Sequence, residues 1–327
     1  MKTSSQIWAV FLFVGLIAYG FSATAQENIS YDYVVAQDGS GDFESIQAAI
    51  DATKAFPDKR VSIFIKNGVY KEKVKVHSWN TELSLVGEDK EQTIITFDDY
   101  FDKINLGRNS TFHTYTLLVQ GNDFHAENLT IENSAGEVGQ AVALHVDADR
   151  VSIANCRLLG NQDTLYISGE GDRQYFRDCY IEGTTDFIFG GATAVFEDCI
   201  IHSKKNSYIT AASTPETIFF GMVFLNSELT ADENLSEVFL GRPWRDFAKT
   251  VFIQTEMGDH IIEEGWHNWS RKEAEKTAFF AEYKNSGPGF APGQRVEWSH
   301  QLTDQESEKY TPKNILGDWV ISRGLMN

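Results

Sequence analysis

One short phrase recurs through the middle of the chain and limits what the chain can fold into. An Asn or Asp is followed by a small apolar residue and then by an alternating apolar one. The copies read Asn128-Leu129-Thr130-Ile131, Asn155-Cys156-Arg157-Leu158, Asp178-Cys179-Tyr180-Ile181 and Asp198-Cys199-Ile200-Ile201, with a looser copy at Met222-Val223-Phe224-Leu225. The anchors Leu129, Cys156, Cys179, Cys199 and Val223 are spaced by 27, 23, 20 and 24 residues, a period that belongs to stacked supersecondary units. Each unit holds short β-prone runs such as Tyr175-Phe176 and Ala194-Val195-Phe196, broken by Gly, Asn, Asp and Ser rather than joined by helical segments. Coils of this length made only of strands and turns predict an all-β, right-handed parallel β-helix, each coil pairing with the next at about 4.8 Å. Leucine-rich repeats share the period, but their Leu-x-Leu and Asn-ladder phrase is absent.

The stack accounts for other features. Cys156, Cys179 and Cys199 hold one inward position on successive coils and read as a buried ladder; a single bridge between neighbours stays open, because ladder geometry need not suit it. Open ends of a β-helix expose strand edges. The stretch Phe43 to Ala55, with Ile46, Ala49 and Ile50 at helical spacing, predicts an N-terminal capping helix. Thr303 to Glu306 forms a capping box for a helix through Tyr310, placed to cover the C-terminal side.

Before the repeats, Lys2 precedes an apolar run from Ile7 to Phe21 and then Ala23-Thr24-Ala25, the pattern of a signal peptide over residues 1–25. The run is short for a membrane span, no Cys follows it to carry a lipid, and no later stretch is apolar enough to cross a bilayer. An exported chain of residues 26–327 is expected, one β-helix domain in the periplasm or the medium. Its capped stack needs no partner to bury its core, so a monomer is expected. With 28 Lys plus Arg against 47 Asp plus Glu, the formal charge is −19, which excludes a nucleic-acid binder. A content of 42% hydrophobic and 13% aromatic residues excludes a disordered tail, and three Cys and six Pro exclude a disulfide scaffold or a Pro-rich linker.

Three polar residues fall on the coil period. Gln140, Asp163 and Asp186 are separated by 23 and 23 residues. Asp163 lies seven residues past Cys156 and Asp186 seven past Cys179, so the two carboxylates share a phase on consecutive coils. Gln140 lies eleven past Leu129, in a coil four residues longer whose insertion fits Ala135 to Gly139; a column of Gln, Asp and Asp is expected. Two carboxylates held about 5 Å apart cannot both ionise cheaply, so one pKa rises and an acid stands beside a base. The alternative is a solvated Asp ladder at the turns. Against it stand the apolar surroundings in Gln162-Asp163-Thr164-Leu165-Tyr166 and Asp186-Phe187-Ile188-Phe189-Gly190, while Leu240-Gly241-Arg242-Pro243-Trp244 adds a cation and an aromatic platform.

Together with Gln140-Ala141-Val142-Ala143-Leu144 and Gly68-Val69-Tyr70-Lys71-Glu72, these words resemble, in order, the signature set of pectin methylesterases; the similarity runs from about Tyr33 to Leu316-Gly317-Asp318-Trp319. The resemblance implies a carboxylic ester hydrolase that removes methyl esters from the galacturonate units of pectin, with no cofactor and no metal. It implies Asp186 as nucleophile, Asp163 as acid and then base, Gln140 and Gln162 as oxyanion donors, and Arg242 holding Asp186 in place and ionised at low pKa. It also implies substrate contacts from Thr111, Tyr166, Phe189, Trp244 and, near the groove, Trp269. At Ile209-Thr210-Ala211-Ala212-Ser213-Thr214 the plant members carry a Gln-Gly-Arg continuation, so the chain looks more like a bacterial-type member. A protein this acidic is expected to prefer heavily methylated, nearly neutral pectin and to repel the polyanion it releases.

Two other classes are compatible with a β-helix. A polysaccharide hydrolase or lyase would lower polymer viscosity, since paired Asp residues also suit a retaining glycosidase; a Ca-dependent lyase would also need an acidic ion-binding cluster and a basic proton abstractor. A non-catalytic carbohydrate-binding β-helix would tolerate loss of the Asp pair. A serine esterase lacks its Gly-x-Ser-x-Gly, and the eight His residues show no metal-ligand spacing.

Overall fold

Parallel pairing organises the whole molecule. The computed structural model describes residues 30–322; the expected signal peptide and its cleavage site lie outside the described residues. From Tyr31 onward the chain forms one unit. Among the described residues, strands assemble into three parallel sheets of 11, 8 and 7 strands, visited in that order by each coil of a right-handed β-helix. One coil runs through Val151–Ala154, Arg157–Leu159 and Leu165–Ser168, and the next through Arg173–Arg177, Tyr180–Gly183 and Ile188–Gly190. Val151 pairs with Gln174, Arg157 with Tyr180 and Leu165 with Ile188, so one offset of 23 residues holds around the entire coil.

The recurring Asn or Asp marks the corner between the 11-strand and 8-strand sheets. Asn128, Asn155, Asp178, Asp198, Asn226, Gln254 and Lys284 all adopt left-handed backbone, with φ between 47° and 58°. Short polar side chains tolerate that conformation better than other L-residues do, which is why the phrase begins with them. The residue after each corner points inward, giving a buried column of Leu129, Cys156, Cys179, Cys199, Ser227, Thr255 and Asn285. All three cysteines are free. The column corrects the last sequence anchor: Ser227, not Val223, follows Cys199. Ser227 Oγ donates to the carbonyls of Phe196 and Leu225 as Cys199 Sγ does to those of Phe176 and Glu197. Val223 lies instead on the 11-strand sheet beside Val195.

Inside, Phe176, Phe196, Phe224 and Phe252 stack face to face with centroids 4.8, 4.5 and 4.4 Å apart, each on the same strand position of successive coils. The neighbouring outward residues Tyr175, Val195, Val223 and Val251 are also buried, so these strands are apolar on both faces, as expected where both are covered. Their cover is the C-terminal segment. The capping box at Thr303 and Glu306 is present, but its helix stops at Asp304–Ser307; two further short helices, Pro312–Leu316 and Trp319–Ser322, follow. Tyr310, Ile315, Leu316 and Trp319 pack on the outer face of the 11-strand sheet. The segment therefore covers a side of the stack rather than its end, because an apolar outer face is the larger surface to bury.

At the N-terminal end the expected helix is shorter, Ile46–Asp51, and buries Ile46, Ala49 and Ile50 against the core as its spacing requires. Glu72 accepts from the backbone N–H groups of Ile46 and Gln47 at 3.0 Å, and the hydroxyl of buried Tyr70 donates to Lys66 O. Gly68-Val69-Tyr70-Lys71-Glu72 is thus a structural word that holds the cap.

Asp198 tests the corner rule. Burial and the stacked Asp178 raise its pKa, so its charge costs stability at neutral pH and the cost disappears as pH falls through the raised value. Asp198→Asn should leave the urea midpoint at pH 7 unchanged or raise it, whereas the β-branched Asp198→Val should lose about 1–2 kcal/mol at the left-handed position.

Candidate active site

The corner between the 8-strand and 7-strand sheets repeats the left-handed device twice more, at Asp163 (φ 66°) and Asp186 (φ 49°). The Asp163 amide donates to Thr185 O at 3.1 Å and the Asp186 amide to Tyr208 O at 2.8 Å, which ties each corner to the coil above. Two residues farther on, Leu165 pairs with Ile188, so the two carboxylates stack as the 23-residue interval requires. Gln140 departs from the expected column. It pairs with Gln162, 22 residues on, while Leu144 pairs with Leu165, 21 on; the slip of one residue sets Gln140 beside Gln162 and not under Asp163. The result is an Asp–Asp stack flanked by an amide pair.

These four side chains line a cleft of about 270 Å³ together with Arg108, Thr111, Phe112, Phe189, Ala211, Arg242, Trp244 and Trp269. Its floor is an outward row of the 7-strand sheet, in which Tyr166 pairs with Phe189, Phe189 with Ala211 and Ala211 with Arg242. Tyr166, partly exposed, stacks on Phe189 at 4.5 Å and packs against Phe112 at 5.3 Å, which continues the aromatic row past the cleft residues. Trp244 meets Phe189 edge-on at 5.7 Å. Thr111 arrives on a short 3-10 helix, Gly107–His113. Every residue expected from the sequence is in this neighbourhood.

Arg242 organises the electrostatics. Its Nε and Nη2 donate to the two oxygens of Asp186 at 2.8 and 2.6 Å, a bidentate pair. The guanidinium lies between the rings of Tyr208 and Trp269, 3.9 and 3.7 Å from their centroids. Burial outweighs the pull of Arg242 and leaves the pKa of Asp186 raised above the ordinary carboxylate value, which corrects the low value expected from the cation alone. Asp163 is pushed far higher, by burial first and then by the charge of Asp186, with Arg242 only partly opposing. The surroundings therefore favour the proton on Asp163 and the charge on Asp186, beside the guanidinium.

Sequence spacing missed Tyr208, Arg108, Phe112 and His267. Tyr208 lies 22 residues past Asp186, within one residue of the coil interval, and could have been found by extending the count by one coil. His267 Nδ1 accepts the backbone N–H of Trp269 at 3.0 Å, fixing Trp269 in left-handed backbone (φ 54°) over Arg242. Burial and Arg242 lower the pKa of His267, which keeps that nitrogen unprotonated and able to accept.

The sequence matches the family described as Pectinesterase over residues 32–318. The chain belongs to the pectinesterase family. It is 42% identical over 281 residues to Pectinesterase 31 of Arabidopsis thaliana, covering 84% of this chain and 88% of that relative. It spans about half the length of several curated relatives named pectinesterase/pectinesterase inhibitor. Pectin methylesterase from carrot superposes with a TM-score of 0.85 at 33% identity, covering 91% of this chain and 98% of that one. A pectin methylesterase in complex with a hexasaccharide reaches 0.76 at 30% identity, covering 89% and 98%. The bacterial character expected from Ile209 to Thr214 does not extend to the chain as a whole, since the bacterial PemA from Erwinia chrysanthemi also stops at 0.76. That segment is one strand and its exit, too short to set overall similarity.

In this pectinesterase, His267→Ala should free Trp269 and lower kcat about tenfold, the worth of one well-placed hydrogen bond, with KM less affected. His267→Asn, whose side-chain carbonyl can accept the same N–H, should recover most of the loss in steady-state assays.

Proposed function

We propose that this pectinesterase-family chain hydrolyses the methyl esters of pectin with Asp186 as nucleophile and Asp163 as acid and base. The observation that carries the division of labour is the asymmetry of the stacked pair: Arg242 holds Asp186 with two charged hydrogen bonds, while Asp163 is buried without such a partner, which raises its pKa and favours its protonated form. Ionised Asp186 attacks the ester carbonyl and a tetrahedral oxyanion forms, toward which Gln140 and Gln162 donate N–H bonds without adding a titrating group. As the intermediate collapses, the bond to the methoxyl oxygen breaks and Asp163 gives that oxygen its proton, releasing methanol. Asp163, now ionised, takes a proton from water as the water attacks the acyl–Asp186 anhydride. Hydrolysis restores ionised Asp186 and protonated Asp163 and frees the galacturonic acid, which gives its proton to solvent and leaves as the carboxylate.

Phe189, Trp244, Trp269 and, next along the row, Tyr166 offer the sugar rings apolar faces, and Thr111 a hydroxyl. The run from Ile7 to Phe21 supports export, consistent with a wall polymer as substrate, and among the described residues no helix is long and apolar enough to cross a membrane. The chain acts as a monomer in this reading, because its cleft is built from one coil stack.

Highly methylated pectin should release methanol without losing viscosity, and Asp186→Asn should abolish the release; a fall in viscosity would identify a depolymerase instead. Gln140→Ala and Gln162→Ala should each lower kcat about 100-fold, near 3 kcal/mol of barrier. The rate should fall at low pH as Asp186 takes a proton and at high pH as Asp163 loses its own. In Arg242→Gln the pull on Asp186 is gone, so the acid limb of the residual activity should move to higher pH.

A further inference from the structure

Arg242 holds Asp186 with two hydrogen bonds only while its guanidinium stays in the plane of the carboxylate, and a long side chain is free to leave that plane unless something packs on its faces. Tyr208 lies 3.9 Å from the guanidinium and Trp269 3.7 Å. The two rings are held differently. Trp269 comes from an irregular loop, whereas Tyr208 opens the strand Tyr208–Ala212. It pairs there with Phe239 on Phe239–Pro243, the strand that carries Arg242, and the two rings stack at 5.3 Å. His267 packs on both, at 5.4 and 5.5 Å. The same residue also reaches the nucleophile, because the Asp186 amide donates to the Tyr208 carbonyl at 2.8 Å. One position earlier, the hydroxyls of Thr185 and Ser207 meet at 2.8 Å and tie the two coils at that corner.

We propose that Tyr208 is a positioning residue of the reaction: its ring is the fixed face that keeps Arg242 in the plane of the Asp186 carboxylate, so that the nucleophile meets the ester in one orientation. The inference rests on the esterase reading above, which gives the attack to Asp186 and no step to Tyr208. The ring acts and the hydroxyl is dispensable, since a cation packs on the face of Phe as it does on that of Tyr. Without the ring the guanidinium turns, one of its two hydrogen bonds lapses, and less remains to oppose the burial that raises the pKa of Asp186. The other charged or titratable groups facing this pair are Asp163 on the preceding coil, His267 on the loop of Trp269 and Arg108 on the cleft lining, and all three stay in place when the ring is removed.

The test measures methanol release by the full chain, by Tyr208→Leu and by Tyr208→Phe, each also made in an Arg242→Gln background. Tyr208→Leu keeps the backbone carbonyl and removes the ring; it should lower kcat about tenfold, leave KM within about twofold, and move the acid limb of the pH profile to higher pH. Tyr208→Phe should recover most of the rate. In the Arg242→Gln background, Tyr208→Leu should cost less than about twofold more, because the two side chains act as one unit. Urea midpoints separate lost folding from lost turnover, and Tyr208→Ile, β-branched and suited to a strand, replaces Tyr208→Leu if the latter fails to fold. An unmoved acid limb, an equal loss in both Arg242 backgrounds, or Tyr208→Phe as slow as Tyr208→Leu would each overturn the proposal while leaving the esterase intact. No methanol from the unmodified chain would sink the esterase reading and this inference with it.

Discussion

The cleft depends on the backbone ladder between consecutive coils. Because one offset of 23 residues holds through all three sheets in the coil from Val151 to Ser168, any side chain on it lies directly beside its counterpart on the next. A one-residue slip would turn every inward residue outward, so the buried Phe stack on the 11-strand sheet fixes the register that also places Asp163 and Asp186. The carboxylates are not drawn together by their own interaction, which is repulsive. They are held together by apolar packing on another wall of the same coil.

Given that constraint, the electrostatics follow from which coil receives the cation. The outward row on the 7-strand sheet ends at Arg242, one strand beyond Ala211 and two beyond Phe189, within reach of Asp186 but not of hydrogen-bonding Asp163. Ala211 is the small member of that row, and its methyl group leaves the space in which a substrate group can sit between Phe189 and Arg242. Tyr208 and Trp269 stiffen the arginine from both faces. In the proposed mechanism the acid and the nucleophile are thus chemically identical residues distinguished by which of them Arg242 holds.

The period, the β-helix, the cysteine ladder and the phase of the two aspartates were all legible, because each repeats at the coil interval. What broke the interval was lost. Ser227 went unrecognised because the inward column changes there from thiol to hydroxyl, a polar residue that an apolar pattern passes over. Gln140 was set in the column because the count of 23 agreed, yet a slipped bridge near the insertion from Ala135 to Gly139 moved it sideways. A capping box locates the start of the helix at Asp304 but carries no information on where it stops, on the two helices that follow, or on which face the segment covers. Arg108 lies on a short 3-10 helix and His267 in a loop, both outside the coil period, where no spacing rule reports what lies opposite. The low pKa expected for Asp186 considered the cation and omitted burial, which acts on both carboxyls.

That the chemistry lies on the 7-strand sheet follows from how the other surfaces are used. The outer face of the 11-strand sheet is apolar and carries the C-terminal segment, so it is closed to a polymer. The outer face of the 7-strand sheet is walled on one side by the helix bearing Thr111 and on the other by the loop bearing Trp269, with rings along its floor. A parallel sheet provides a floor whose successive positions repeat at about 4.8 Å, so one row can present a graded series of side chains from Tyr166 through Phe189 and Ala211 to Arg242. The left-handed corners then place reactive side chains at the edge of that floor without interrupting it, and the same backbone device serves packing at one corner of the coil and catalysis at the next.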